Sequence, residues 1–135
     1  MNERIGSIRA WTRAVGALLL AATVATACRD SRYHDEAVAN MVGGNPDRGP
    51  DLIRSYGCGT CHTVAGVTGA NGLVGPPLSS IAERAYIAGV LPNAPDNLVR
   101  WIENPKAVDS LTAMPVVGVT PADARDIAAY LYTLR

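Results

Sequence analysis

The fold of this 135-residue chain is decided by one short stretch, Cys58-Gly59-Thr60-Cys61-His62. Two thiols three positions apart can each add to one vinyl group of a haem, and the next residue then places an imidazole on the iron. The porphyrin dictates this spacing. The stretch therefore predicts one covalent haem c, attached through Cys58 and Cys61, with His62 as the first axial ligand of the iron.

Two other uses of these side chains have to be weighed. A structural zinc site needs four ligands, but the only other Cys and His residues are Cys28 and His34, which lie far towards the N-terminus. A thioredoxin-like redox pair belongs in a strand-helix-strand context, whereas the flanking sequence shows Gly-rich loops and helical patterns. Both interpretations are therefore less favoured than haem attachment.

The sixth ligand of the iron separates electron carriers from haem enzymes and gas sensors. The candidates are Met114, Met41 and His34. Met114 follows Leu111-Thr112-Ala113 in a loop between two helical patterns, which suits a ligand that must reach across a haem. The alternative for Met114 is an ordinary core methionine. Met41 and His34 would have to fold back from the N-terminal segment.

Residues 1–27 read as an export signal. Basic side chains at Arg4, Arg9 and Arg13 precede an uncharged, Ala- and Leu-rich run at 14–27, which is the order found in signal peptides. The run has 14 residues, and a membrane-spanning helix needs about 20. We expect a cleaved signal, with an uncleaved anchor as the alternative.

The end of this segment, Ala25-Thr26-Ala27-Cys28, resembles the lipobox of bacterial lipoproteins, in which the Cys is acylated and becomes the new N-terminus. The resemblance implies a lipid on Cys28 and a location on the periplasmic side of a bacterial membrane. The alternative is ordinary cleavage that leaves Cys28 as a free thiol. Residues 28–46 lack apolar periodicity and are predicted to be a flexible tether, followed by a folded domain at 47–135.

Charge balance and sequence periodicity limit the possible partners and the possible fold classes. The 12 basic and 12 acidic side chains argue against nucleic-acid binding, which needs a dense basic face. Helical periodicity and capping signals predict helices that begin near Asp47, cover 78–87 and 95–103, and begin again after the N-cap Thr120. No alternation typical of strands occurs. We predict an all-α domain of about four short helices around one haem, which supplies the core that a small domain lacks.

Residues 47–135 resemble class I c-type cytochromes. The segment Gly75-Pro76-Pro77-Leu78 matches the family's Gly-Pro segment, in which the proline carbonyl accepts a hydrogen bond from the haem-binding imidazole. The resemblance gives that role to Pro76. Met114 lies nine residues after Pro105, as the axial methionine does in the family, and the resemblance implies that Met114 is the sixth ligand.

Further matches are less specific. Trp101 begins a stretch like the family's aromatic-aliphatic-Glu-Asn-Pro motif and is expected to face the haem or the core. Arg84 occupies the place of an arginine near a haem propionate, and its alternative is a solvated surface charge. Tyr130 matches the aromatic residue of the terminal helix. Residues 89–98 resemble, more narrowly, the cytochrome c domain of caa-type haem–copper oxidase subunit II.

The resemblance implies an electron-transfer protein, not an enzyme: a one-electron carrier in a bacterial respiratory chain, with His/Met ligation. Expected partners are redox proteins such as a quinol-oxidising complex and a terminal oxidase or reductase. One alternative is a fixed haem subunit of a terminal oxidase or reductase complex, and another is a haem enzyme or gas sensor. Residues 28–135 carry 9 basic and 11 acidic side chains, which argues against docking through a basic ring. Small apolar residues surround the attachment stretch and follow Met114, so we expect partners to dock on an apolar patch near the haem.

Overall fold

The computed structural model describes residues 37–134. The predictions for the export signal, for lipidation of Cys28 and for His34 lie outside these residues. Within 37–134, no helix combines the length and the apolar character that crossing a membrane requires.

Four α-helices follow one another along the domain: α1 is Gly49–Ser55, α2 is Pro95–Glu103, α3 is Pro105–Val108 and α4 is Pro121–Thr133. Residues 37–42 are also helical. Single 3₁₀ turns lie at Pro46–Arg48, Cys58–Thr60 and Ile81–Glu83, and a short antiparallel pair joins β1, Tyr86–Ile87, to β2, Leu91–Pro92. The predicted all-α fold is confirmed, with this strand pair as a small addition.

The helix boundaries follow local capping chemistry. Each of the four helices has a proline in its first turn, where the missing N–H costs no helical hydrogen bond. The Thr120 side chain accepts a hydrogen bond from the Asp123 amide at 3.2 Å, as a helix N-cap does. Asn104 caps α3 in the same way through the Ala107 amide. The predictions for α2 and α4 are therefore confirmed at their boundaries.

Helix α4 packs against α1 and α2. The approach of α1 is close, because a Cβ placed on Gly49 would lie only 2.7 Å from Cγ of Tyr130. The first and last helices therefore pack with their backbones close together. The core between the helices is apolar, with Ile53, Leu98 and Ile127 at most 3% exposed.

The prediction of a helix over 78–87 is wrong. Only Ile81–Glu83 form a single 3₁₀ turn, and the chain is extended from Tyr86. Ser80 begins the turn with a left-handed φ of 53°, which a regular helix does not tolerate. The side chain of Asn93 also binds the carbonyls of Ile81 and Arg84. A side chain that takes these carbonyls competes with helix formation.

The predicted tether also differs from the structure over residues 37–46, which belong to the folded unit. Val38 and Val42, four residues apart on one helical face, are only 7% and 4% exposed. The Asn45 amide donates a hydrogen bond to Oδ1 of Asp126 at 2.6 Å. Two valines are too short a pattern to predict a helix, and their burial depends on the fold of the rest of the chain.

Candidate haem-binding site

A cavity of about 750 Å³ lies between the helices, within the range of cofactor sites. All seven side chains predicted for haem binding line it: Cys58, Cys61, His62, Pro76, Arg84, Trp101 and Met114. The rest of the wall is mainly apolar and includes Ile53, Leu98, Ile127 and Leu131. The fold thus brings together residues that are up to 56 positions apart, from Cys58 to Met114.

The attachment turn begins where α1 ends. Gly57 has a φ of 71°, a left-handed conformation that glycine adopts without steric cost. This glycine directs the chain into the turn Cys58–Thr60, and the His62 amide donates to the Cys58 carbonyl at 3.0 Å. Both thiols are free, and burial raises the pKa of the Cys58 thiol. The turn therefore presents two thiols and an imidazole to one cavity.

The ring of His62 is held in one orientation. Its Nδ1 lies 2.7 Å from the carbonyl oxygen of Pro76. Because a carbonyl only accepts hydrogen bonds, Nδ1 must carry a proton, and in the neutral ring the lone pair is then on Nε2. Gly75 packs against the ring so closely that a Cβ there would lie 2.6 Å from Nδ1. The nitrogen left available is the one a metal would use, in the arrangement typical of histidine ligands.

Met114 approaches the cavity from the loop between α3 and α4. Its side chain is half-buried against the core, and its amide donates to Oγ1 of Thr112 at 3.2 Å. Lys106 Nζ, on α3 before the loop, donates to the Thr112 carbonyl. Met41, by contrast, is 55% exposed and does not line the cavity. Of the two described candidates for the sixth ligand, only Met114 lies at the site.

Trp101 and Arg84 also contact the cavity. Trp101 is 9% exposed on α2 and belongs both to the cavity wall and to the core. Nη2 of Arg84 donates to the carbonyls of Pro77 and Ser79 at 2.5 and 2.9 Å. Arg84 therefore holds the backbone that directly follows Pro76 through hydrogen bonds.

Sequence reasoning missed several polar residues of the wall, among them Asn93. Its side chain makes three hydrogen bonds to other parts of the chain. The available signal was an Asn in a proline-flanked turn, Pro92-Asn93-Ala94-Pro95, because Asn side chains commonly bind backbone groups in turns. That signal does not reveal which backbone groups are bound.

The side chains at the cavity fit a haem c. They provide two thiols for the vinyl groups, an oriented imidazole nitrogen and a thioether sulfur in an apolar enclosure. Within residues 37–134, no group of three or more His, Cys, Asp or Glu side chains is arranged to hold a metal ion. The part of the chain that the structure describes thus supplies no additional ligands for the zinc interpretation.

Comparison with known families matches residues 46–135 to the cytochrome c family. The chain therefore belongs to the cytochrome c family, its cofactor is covalently bound haem c, and its role is electron transfer. It is 31% identical over 90 residues to cytochrome c oxidase subunit 2 of Alkalihalophilus pseudofirmus. The match covers 66% of this chain and 25% of that subunit, so the chain spans a quarter of its relative's length. No solved structure matches.

Proposed function

We propose that this protein is a one-electron carrier of a bacterial respiratory chain, with His62 and Met114 as the axial ligands of its haem. The supporting observation is that the two side chains line one apolar cavity from different loops, with Nδ1 of His62 already engaged by Pro76. Redox partners would be proteins such as a quinol-oxidising complex and a terminal oxidase or reductase.

The residues of the chain have separate tasks in this function. When bound, the haem supplies an iron that takes up and releases a single electron. Cys58 and Cys61 would hold the group covalently, and His62 would bind it through Nε2. The Met114 sulfur would be the second ligand, which would exclude exogenous ligands and favour the ferrous state relative to a second imidazole. The apolar wall keeps water away from the site.

The test is a comparison of Met114→Ala with Met41→Ala, which removes an exposed methionine outside the cavity. We expect the unmodified protein and Met41→Ala to show the weak ferric absorption band of sulfur ligation and to bind no carbon monoxide at neutral pH. Met114→Ala should lose the band and bind carbon monoxide when reduced. Carbon monoxide binding by the unmodified protein would instead support a haem enzyme or gas sensor.

A second candidate function is a fixed haem subunit of a terminal oxidase or reductase complex. The observation in its favour is the 31% identity to an oxidase subunit. Purification from native membranes in mild detergent distinguishes the two functions. A carrier separates from the oxidase at moderate salt, whereas a fixed subunit stays with the oxidase in constant ratio.

The partners of the proposed carrier would dock on a surface with few charges. Residues 55–82 and 110–122, which include both axial ligands, contain no Asp, Glu, Lys or Arg. Three large apolar side chains on these loops are exposed and do not line the cavity; this apolar rim consists of Leu73, Leu111 and Val116. The side chains of Lys106 and Arg84 bring positive charge to the backbone of these loops. So few charges offer little for a charged partner to complement, and the rim suits a redox protein with an apolar docking face.

Salt dependence tests this surface. We expect the rate of electron exchange with the physiological partner to change little as ionic strength rises, because screening acts on charges. Leu73→Ser, a change of an 88% exposed side chain, should slow the reaction at every salt concentration. A steep fall with added salt and no effect of Leu73→Ser would show that docking is electrostatic and uses another surface.

The proposed location is the periplasmic side of the membrane, with a lipid on Cys28 as the anchor. The sequence pattern of residues 1–28 supports this proposal. Mass spectrometry of the mature N-terminus, together with fractionation of Cys28→Ser, is the test. An unacylated Cys28 in the mature protein would contradict lipidation.

A further inference from the structure

Asn93, directly after β2, forms hydrogen bonds through every polar group of its side chain. Nδ2 donates to the carbonyls of Ile81 and Arg84, both at 2.7 Å. Oδ1 accepts from the Tyr132 hydroxyl at 2.6 Å. Two carbonyls face Nδ2, so the amide has only one satisfactory orientation. The Asn93 backbone amide also donates to the Ala85 carbonyl at 3.0 Å, which fixes the residue to the Ile81–Glu83 turn and its flank.

Tyr132 anchors this arrangement in helix α4. The tyrosine is 5% exposed, and a buried hydroxyl is costly unless it finds a hydrogen-bond partner. The hydroxyl reaches Asn93 across 39 positions of sequence. We call this pair the Asn93–Tyr132 clamp. The clamp fixes the turn before β1 to the terminal helix, which itself packs against α1 and α2.

Hydrogen bonds continue from the clamp to the haem-binding histidine. The clamp holds the carbonyl of Arg84. The side chain of Arg84 donates to the carbonyls of Pro77 and Ser79. Pro77 directly follows Pro76, whose carbonyl accepts from Nδ1 of His62 at 2.7 Å. One connected series of backbone segments and hydrogen bonds thus joins Tyr132 to the ring that would bind the iron.

We propose that Asn93 and Tyr132 are positioning residues that set the strength of the His62–Pro76 hydrogen bond and thereby tune the reduction potential of the bound haem. The inference rests on the proposed ligation by His62. A firm hydrogen bond from Nδ1–H to a carbonyl makes Nε2 a more basic ligand, which favours ferric over ferrous iron. Loosening the clamp lets the Pro76 segment shift, weakens this bond and raises the potential.

The test compares Tyr132→Phe with Tyr130→Phe in the haem-loaded protein. Both changes remove one hydroxyl from α4. The hydroxyl of Tyr130 donates to the Ala65 carbonyl at 2.7 Å and is not part of the series that ends at Pro76. We expect both variants to be less stable than the unmodified protein, but only Tyr132→Phe to have a higher reduction potential. Equal potentials in the two variants and the unmodified protein would overturn the proposal.

A second measurement reads the hydrogen bond itself. Exchange of the His62 Nδ1 proton with solvent, followed by nuclear magnetic resonance on the reduced protein, should be faster in Tyr132→Phe and unchanged in Tyr130→Phe. If Tyr132→Phe is too unstable to load haem, Asn93→Ser takes its place. Its matched control is Asn97→Ser, which removes an amide bound only to the Pro92 carbonyl. Unchanged exchange and potential in Asn93→Ser would also overturn the proposal.

The clamp acts on the His62 side of the cavity. A wrong assignment of Met114 as a ligand would therefore appear in the spectra of Met114→Ala. The reduction potentials of Tyr132→Phe and Tyr130→Phe could still be compared. A protein in which His62 does not bind the iron would fail both tests, and its spectrum in the unmodified form would already show the error.

Discussion

The two sides of the cavity are built differently. On the His62 side, the ring is fixed by Pro76 and Gly75, and the backbone behind it is held by Arg84 and the Asn93–Tyr132 clamp. On the other side, Met114 sits in a loop that exposes Leu111 by 91% and Val116 by 50%. Side-chain hydrogen bonds hold this loop near its start, at Ser110, Leu111, Thr112 and Met114, and at its last residue, Thr120, but not between.

This difference separates two properties of an electron carrier. A side held by several hydrogen bonds from distant parts of the chain resists local opening, whereas a loop with few such hydrogen bonds opens at low cost. We infer that the His62 side sets the electronic environment of the iron, and that the Met114 side decides how readily the sixth position opens. The following predictions test this division, beginning with the largest expected effect.

Removing both attachment thiols should have the largest effect. The double variant Cys58→Ser, Cys61→Ser leaves both sides of the cavity in place but removes the covalent link between the chain and the haem. We expect no haem to stay with the polypeptide on a denaturing gel. The variant should also lose cooperative unfolding, because a domain this small depends on the haem for its core. Cys28→Ser is the control and should retain haem; retained haem in the double variant would contradict thioether attachment.

Adding one methyl group to the His62 side and one to the Met114 side of the cavity tests the rigidity of the two sides directly. Gly75→Ala places a Cβ 2.6 Å from Nδ1 of His62, and such overpacking costs about 1–3 kcal/mol or more. Gly118→Ala meets no atom within 4 Å, but its φ of 77° favours glycine, at a cost of about 1–2 kcal/mol. Denaturant unfolding measures both losses of stability.

The spectra distinguish the two glycine variants further. We expect Gly75→Ala to alter the spectrum and the reduction potential, because the ring of His62 must move. Gly118→Ala should lower stability and leave the potential unchanged. A normal potential in Gly75→Ala would show that the His62 side is less rigid than its contacts indicate.

A carboxylate at the start of α4, where the Met114 loop ends, should make stability depend on pH. Hydrogen bonds from Tyr56 and Thr120, and the nearby Arg48, lower the pKa of Asp123 below its usual 3.8. A carboxyl with a lowered pKa in the folded state contributes stability above its unfolded pKa, and that stability is lost as pH falls through the folded pKa.

The corresponding variant is Asp123→Asn, compared with the unmodified protein by thermal unfolding from neutral pH to below pH 3.8. We expect the variant to be less stable at neutral pH and the difference to shrink as the acid range is entered. Asp51→Asn is the control, because the Asp51 side chain is 78% exposed in its pair with Arg54 and exposed pairs contribute little. A difference that is constant with pH would exclude ionised Asp123 as the source.

The parts of the molecule that the sequence predicts well depend on neighbouring residues. The attachment stretch is five consecutive residues, and the start of α4 is predicted from its N-cap Thr120 and the following Pro121. The failures depend on distant contacts. Residues 78–87 have helical spacing but are held in a turn by Asn93, which in turn needs Tyr132, 39 positions away. Val38 and Val42 are buried only because the rest of the domain provides a core.

The smallest predicted effect concerns the hydrogen bonds that hold the Met114 loop. Lys106 donates to the carbonyls of Ser110 and Thr112 from an exposed position. Lys106→Ala should weaken the loop by up to about 1 kcal/mol, since exposed interactions of this kind rarely contribute more. The measurement is the binding of added imidazole to the ferric protein, which under the proposed ligation requires Met114 to leave; affinity should rise by no more than about five-fold.

Arg54→Ala is the matched control, because it removes one positive charge from α1 and leaves the Met114 loop untouched. Its affinity for imidazole should equal that of the unmodified protein. The reduction potential in the absence of imidazole should be nearly the same in both variants, because the His62 side and the sulfur ligand are intact. If Lys106→Ala and Arg54→Ala raise the affinity equally, the effect comes from net charge, and the loop is held by packing of Met114 against the core.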